Sequence, residues 1–392
     1  MSTRLLRYGE KKEGNIAFIA VLLLSFVAPF SRMVIGGRGV LFLSICFAIP
    51  IIIFSYIKSR KIVISLDQAK YLTYILWMAA SILITHASLT GLTIDSCKVQ
   101  ICSFILFTYF INRKEEKILN YLYILIGIIF IYLNIFKGLQ YLGGVRYRIE
   151  LQEGVILDPN MVGGAFIIPS CLMARYVIER NSVIIKLGSV AYLLFMLYVI
   201  VLGGSRGGLL ACAAVFVIYM LLERGNVSRN VLILVLGITA LIVFYSFFLK
   251  SNIATGLLNR MTINSIKESG GSGRLEIYKT YLEYFFTEGD IGHMLLGYGI
   301  GTGQHYIGRA SHSTPLDFLW GMGIVGFLAY IVFYISVVKY CVRSKSKVAL
   351  ACIIAIEIWS LFLSLSNQIM YWTYIYYCVA VARNSYRENM LT

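Results

Sequence analysis

The residues with chemistry to offer lie in short polar stretches of a chain that is otherwise nearly all apolar. One is Gly203-Gly204-Ser205-Arg206-Gly207-Gly208, a turn made almost entirely of glycine with one arginine at its tip. A guanidinium presents a planar fork of N–H donors that matches two phosphate oxygens, and glycine lets backbone approach a ligand closely. Taken alone, such an arginine would also serve by snorkelling to lipid headgroups. A second stretch, Gly270-Gly271-Ser272-Gly273-Arg274, opens an amphipathic segment that runs from Leu275 to Glu288, with Leu275, Tyr278, Tyr281, Leu282 and Phe285 expected on one helical face and Glu276, Lys279 and Glu283 on the other. Arginine in a first helical turn opposes the helix dipole, whereas arginine beside free N–H groups makes an anion site. A third is Ser311-His312-Ser313. Of the four histidines (86, 293, 305 and 312), only His312 sits where a long polar stretch meets an apolar run. Imidazole takes a proton from a hydroxyl near neutral pH, although most isolated histidines are structural or solvated.

Two further cations, Arg146 and Arg148, lie in the polar stretch Lys137–Asn160, which closes on Asp158-Pro159-Asn160. Both arginines are candidate substrate contacts. Asp158 or Asn160 is expected to cap the helix that follows, and both are candidates for the same site. The glycine run Gly297–Gly303 lacks the Gly-x-Gly-x-x-Gly spacing and any βαβ context, so it reads as a flexible turn rather than a dinucleotide loop. The eight cysteines show no Cys-x-x-Cys pair, which argues against a metal site or a disulfide framework.

The elements that must position these residues are membrane spans. The chain has 392 residues, of which 59% are hydrophobic and 14% charged, with a mean hydropathy of +0.78. Its apolar runs are continuous and of spanning length, which predicts an all-α polytopic membrane protein and excludes a β-barrel. About twelve spans are expected, at 16–31, 39–57, 70–86, 98–112, 118–136, 160–178, 186–202, 207–222, 230–249, 314–338, 348–366 and 369–383. The basic N-terminal segment and the run Ile16–Phe30 read as an uncleaved first helix. Sorting Lys and Arg by side then puts both termini in the cytoplasm. The polar stretch 250–313, between spans nine and ten, becomes a large external loop carrying an amphipathic helix at about 274–288. Residues 1–392 read as one integral-membrane domain. The net charge of +16 divides between cytoplasmic loops and the external arginines, and implies no nucleic-acid partner.

In their order, these motifs resemble the bacterial O-antigen polymerase and O-antigen ligase superfamily, membrane glycosyltransferases of the C-type fold. The resemblance rests on Asp158-Pro159-Asn160, Gly204-Ser205-Arg206-Gly207-Gly208, Ser272-Gly273-Arg274, and Ser311-His312-Ser313-x-x-Leu316 leading into Gly321-Met322-Gly323-Ile324-Val325-Gly326. Where family members usually carry asparagine after the histidine, this chain has Ser313. The resemblance implies that Arg206 and Arg274 hold the diphosphate of an undecaprenyl-linked glycan and that His312 activates or orients the acceptor hydroxyl. It implies neither metal nor cofactor. The setting is the bacterial inner membrane, with a chain-length regulator or flippase as a candidate partner. The expected activity is polymerisation of a surface polysaccharide, with ligation of glycan to lipid A-core as the alternative. A multi-span transporter is the reading from a different class. It is prompted by Glu357 in the middle of an expected span, whose bland reading is a buried carboxylate with a basic or hydroxyl partner.

Overall fold

The computed structural model describes residues 16–59, 70–78, 91–137, 139–142, 146–223 and 273–391. The N-terminal basic segment, the expected span 230–249, the first part of the large loop and His86 lie outside them. The chain begins with α1 (Ile16–Val27) and a short 3-10 turn at Ala28–Phe30, then a small hairpin of β1 (Val34–Ile35) and β2 (Arg38–Gly39). Next come α2 (Val40–Ser59), a helical stretch at 70–78, α3 (Gly91–Thr108) and α4 (Arg113–Tyr132). A three-stranded antiparallel ribbon follows, formed by β3 (Leu139–Leu142), β4 (Arg146–Gln152) and β5 (Val155–Ile156). The remaining helices are α5 (Pro159–Ala165), α6 (Ile167–Glu179), α7 (Val183–Gly203), α8 (Arg206–Leu222), α9 (Arg274–Thr287), α10 (Ile291–Leu296), α11 (Gly303–Ile307), α12 (Thr314–Arg343), α13 (Lys347–Ser360) and α14 (Ile369–Leu391).

Five helical segments among the described residues are long and apolar enough to cross a membrane: Val40–Lys58, Arg113–Phe136, Pro159–Glu179, Val183–Gly203 and Thr314–Arg343. The helix over the expected span 98–112 starts earlier, at Gly91, within the stretch left between the expected spans 70–86 and 98–112. The expected span 348–366 ends its helix at Ser360, because the chain leaves it for a polar turn rich in serine.

The centre of the bundle is α14, an unusual core because tyrosine dominates it. Tyr371, Trp372, Tyr374, Tyr376 and Tyr377 are all fully buried. Buried hydroxyls need partners. Tyr376 donates to the Tyr109 carbonyl at 2.7 Å and Tyr377 to Asn120 Oδ1 at 2.7 Å. Tyr330 of α12 donates to both oxygens of Glu357 at 2.9 Å, so that carboxylate has the hydroxyl partners of its bland reading. On the outer faces the pattern inverts. Phe47, Ile53 and Phe54 of α2 and Ile184, Leu187 and Phe195 of α7 are exposed, as a lipid solvent permits.

Two glycine contacts fix the geometry that matters below. A Cβ on Gly163 would stand 2.6 Å from the Gly208 Cα, so α5 and α8 touch backbone to backbone. In α12, Gly323 breaks the helix with φ 65° and ψ −171°. The break frees carbonyls, and the run Gly297–Gly303 takes them up. Tyr298 N–H donates to the Trp320 carbonyl at 2.8 Å and Gly299 N–H to the Gly321 carbonyl at 3.0 Å. A Cβ on Gly297 would lie 2.4 Å from the Gly321 carbonyl carbon. The run expected to be a flexible turn is therefore a strap docked into a broken helix.

Candidate functional site

Each sequence motif lies at the start of a helix. Asp158 caps α5, accepting the Asn160 N–H at 2.7 Å, and Pro159 occupies the first turn, where its missing N–H costs nothing. Asn160 does not cap. Its Oδ1 accepts the Ser205 hydroxyl at 3.0 Å, and its carbonyl accepts the Trp359 indole N–H at 2.8 Å. Ser205 in turn caps α8, accepting Gly208 N–H at 3.1 Å, while Gly204 turns the chain through a left-handed φ of 66°. Arg206 is thereby the first residue of α8, half-buried. Gly273, at φ 76°, precedes α9 and makes Arg274 its first residue.

The two arginine-bearing helix starts share one aromatic side chain. The Arg274 guanidinium lies over the Phe362 ring, 5.5 Å from its centroid. A Cβ on Gly207, next to Arg206, would fall 2.7 Å from the Phe362 Cβ, so α8 packs directly against the same residue.

His312 is one of two described non-glycine residues with positive φ, at 52°. Such a conformation persists only where surrounding contacts determine it. Here they are dense. Ser311 Oγ donates to Asp317 Oδ1, Ser366 Oγ donates to Oδ2 at 3.0 Å, and Ser364 Oγ donates to Oδ1 at 3.3 Å. Thr314 Oγ1 donates to the Leu363 carbonyl at 2.7 Å and accepts the Leu365 N–H at 2.9 Å. Tyr278 of α9 donates to the Leu361 carbonyl at 3.0 Å and to the His312 carbonyl at 3.3 Å. The segments 311–317 and 361–366 are thus laced together, and α9 is tied to both.

The imidazole of His312 is half-buried, and burial holds its pKa below the ordinary histidine value. The positive charge of Arg274 lowers it further, while Asp158 raises it in part. The charges of Arg274 and Asp158, which belong to two different motifs, thus both act on one imidazole. A neutral imidazole of this kind is the form that accepts a proton.

The other candidates stand on other elements. Arg146 and Arg148 lie on β4, whose Arg146 pairs with Leu142 and Arg148 with Gln140. The buried Nε of Arg148 has no hydrogen-bond partner among the described residues, and no contact among them links it to His312. His293 pairs with Asp290 at 2.8 Å and stacks on Tyr298, which stacks on Trp320. His305 lies against Tyr306. On α9 the buried face is Ile277, Tyr281 and Phe285, packed on Tyr298 and Trp320. Leu275 and Leu282, expected on that face, are exposed, because the partner is an aromatic wall set off to one side. Sequence reasoning missed Asp317, Phe362 and the serines Ser364 and Ser366. The available signal was the polar cluster Ser364-Leu365-Ser366-Asn367-Gln368 between two apolar runs, which a span placed at 348–366 hides. All eight cysteines are free, and no cluster of metal-binding residues occurs among the described residues.

Helix starts that gather two arginines and a histidine at one end of a helical bundle offer donors and positive charge to an anionic group. The family model described as O-antigen ligase matches residues 191–331, from within α7 to within α12. The match covers about a third of the chain, contains Arg206, Arg274 and His312, and supports the resemblance to the O-antigen polymerase and ligase superfamily. No curated protein matches the chain.

Proposed function

We propose that the chain is a glycan polymerase acting on undecaprenyl-diphosphate-linked sugars at the external face of the bacterial inner membrane. In this reading Arg206 and Arg274 bind the diphosphate of the donor. The acceptor hydroxyl oxygen bonds to the anomeric carbon, the bond from that carbon to the diphosphate breaks, and the hydroxyl proton passes to the His312 imidazole. The leaving diphosphate keeps the electron pair, and the two guanidiniums with two helix N-termini meet its charge. Asp158 and Asn160 fix the start of α8 and the electrostatics of His312. The observation that carries the reading is the convergence of Arg274 and the start of α8 on Phe362, with Arg274 acting on His312. Arg146 and Arg148 remain proposed contacts to the more distant sugars, on the external ribbon. Chain-length control by a partner protein belongs to the same proposal.

The test is an assay with purified protein and lipid-diphosphate-linked repeat units. Elongation on the lipid carrier, lost in His312→Ala while the protein stays folded, is the expected result. A second reading is favoured by the name of the matching family model, O-antigen ligase. It predicts transfer to a lipid A-core acceptor without elongation on the carrier. Sugar uptake into vesicles with neither product would overturn both.

A further inference from the structure

At the other end of the bundle, about 20 Å along α8 from Arg206 to Tyr219 at 1.5 Å per residue, the helices leave a polar cavity of about 150 Å³. Four cations from four segments line it: Arg113 at the start of α4, Arg175 in α6, Lys345 in the turn after α12, and Lys347 at the start of α13. Two carboxylates, Glu116 and Glu179, line it with them, so four positive charges less two negative leave two positive. Just outside, Glu388 pairs with Arg113 and Glu223 with Lys347.

The donors are unevenly used. Arg113 is spent on Glu116, Glu388 and Ser385. Arg175 bonds Glu179 through Nε at 2.8 Å, and its two outer nitrogens have no partner among the described residues. The Lys345 side chain makes no ion pair or hydrogen bond among them. Lys345 also holds a left-handed φ of 55° just past the end of α12, a position where helices ordinarily place glycine. The 14-residue helix α13 begins at the same cavity, with Ser346 as its cap, and adds the positive end of its dipole.

We propose that this cavity binds a phosphate group, held by Arg175, Lys345 and the start of α13. Basic pockets between the ends of membrane helices suit the phosphate of an anionic phospholipid, and a soluble phosphate supplies the same chemistry. The inference does not depend on the proposed transfer reaction, because the cavity lies at the other end of the helix bundle from His312.

The experiment uses the delipidated full chain in nanodiscs of phosphatidylcholine, alone or with increasing phosphatidylglycerol, and reads the melting temperature of each variant against itself. Phosphatidylglycerol is expected to stabilise the wild type saturably. Loss of one charge-assisted contact should weaken the apparent affinity about tenfold or more in Arg175→Gln and in Lys345→Gly. Lys345→Gly is the key variant, because it relieves the left-handed backbone and should fold at least as well as the wild type. Arg343→Gln, an exposed cation at the same end but outside the cavity, should keep its affinity within about twofold, as a rim charge does. If millimolar inorganic phosphate gives the same saturable stabilisation, lost in the same variants, the site stands with a soluble ligand. Equal weakening in Arg343→Gln and Lys345→Gly, or no response of the wild type to either probe, overturns it.

Discussion

Asp317 gives the sharpest way to separate positioning from chemistry. Its carboxyl accepts three serine hydroxyls, two of them from the segment 361–366 and one from Ser311 beside His312. Replacement by alanine does not strand all three. Ser311 keeps the Ser313 carbonyl at 3.0 Å, and Ser364 keeps Ser311 at 2.9 Å. Ser366 loses its only side-chain acceptor among the described residues. One stranded buried hydroxyl plus a small cavity costs about 2–4 kcal/mol. Asp317→Asn retains one acceptor oxygen and should cost about 1 kcal/mol. The effect on glycan synthesis should exceed the effect on stability, because His312 sits at φ 52° only while its neighbours hold it. A displacement of about 1 Å at a reacting group costs about 10²-fold in rate. The assay is twofold: thermal unfolding of the purified variants, and glycan chain length in cells carrying each at equal expression. The expected order for both is wild type, then Asp317→Asn, then Asp317→Ala, with activity falling faster than stability. An Asp317→Ala protein that unfolds with the wild type and makes wild-type glycan would refute the argument.

Arg206→Lys and Arg274→Lys should each impair synthesis although the charge is kept, since an ammonium does not replace a two-oxygen fork; full activity of both in the purified assay counts against a diphosphate clamp. His312→Ala should lower the rate by about 10²–10⁴, with His293→Ala and His305→Ala close to wild type, and the reverse order would sink the assignment. The acid limb of the pH–rate profile should lie below the ordinary imidazole value, because burial and Arg274 disfavour the imidazolium. Removing that cation makes protonation easier, so the residual activity of Arg274→Gln should lose its acid limb at a higher pH than the wild type; an unmoved limb would mean that His312 is not the titrating group. Gly207→Val should abolish function and accumulation together, because its side chain has no room beside Phe362, and normal synthesis would show that the two helix starts are not packed as described.

Much of this site was legible from residue types, because each motif is a helix start and helix starts carry a local code. Asp158-Pro159-Asn160 was expected to cap a helix and Arg274 to open one, and both do, while Arg206 and His312, expected at a tight turn and at the edge of a span, stand at and just before helix starts. What did not read was everything that depends on a distant partner. The face that α9 buries was set by Trp320 rather than by its own periodicity, so Leu275 and Leu282 were misassigned. Gly297–Gly303 looked flexible because glycine is permissive, yet its strain-free left-handed positions are what let it enter the break at Gly323. Arg148 was selected for its charge, and nothing in a local pattern says that it stands on a three-stranded ribbon.

The two halves of the site have different provenance along the chain, and that bears on how it works. The cations and the imidazole come from within residues 191–331, the stretch that matches the family model. The groups that hold them come partly from within it, Ser205, Tyr278 and Asp317, and partly from outside: Asp158 and Asn160 before, and Trp359, Phe362, Ser364 and Ser366 after. Asn160 is the hinge of this arrangement, since its side chain takes the Ser205 hydroxyl while its carbonyl takes the Trp359 indole. The cap of the arginine-bearing helix and the turn that braces the histidine therefore meet at one residue. A shift in either is transmitted through short polar bonds rather than through compliant apolar packing. Diphosphate binding at Arg206 and Arg274 and proton acceptance at His312 would accordingly be set by one rigid unit, the end of α13 with the turn 361–366, which itself carries none of the reacting groups.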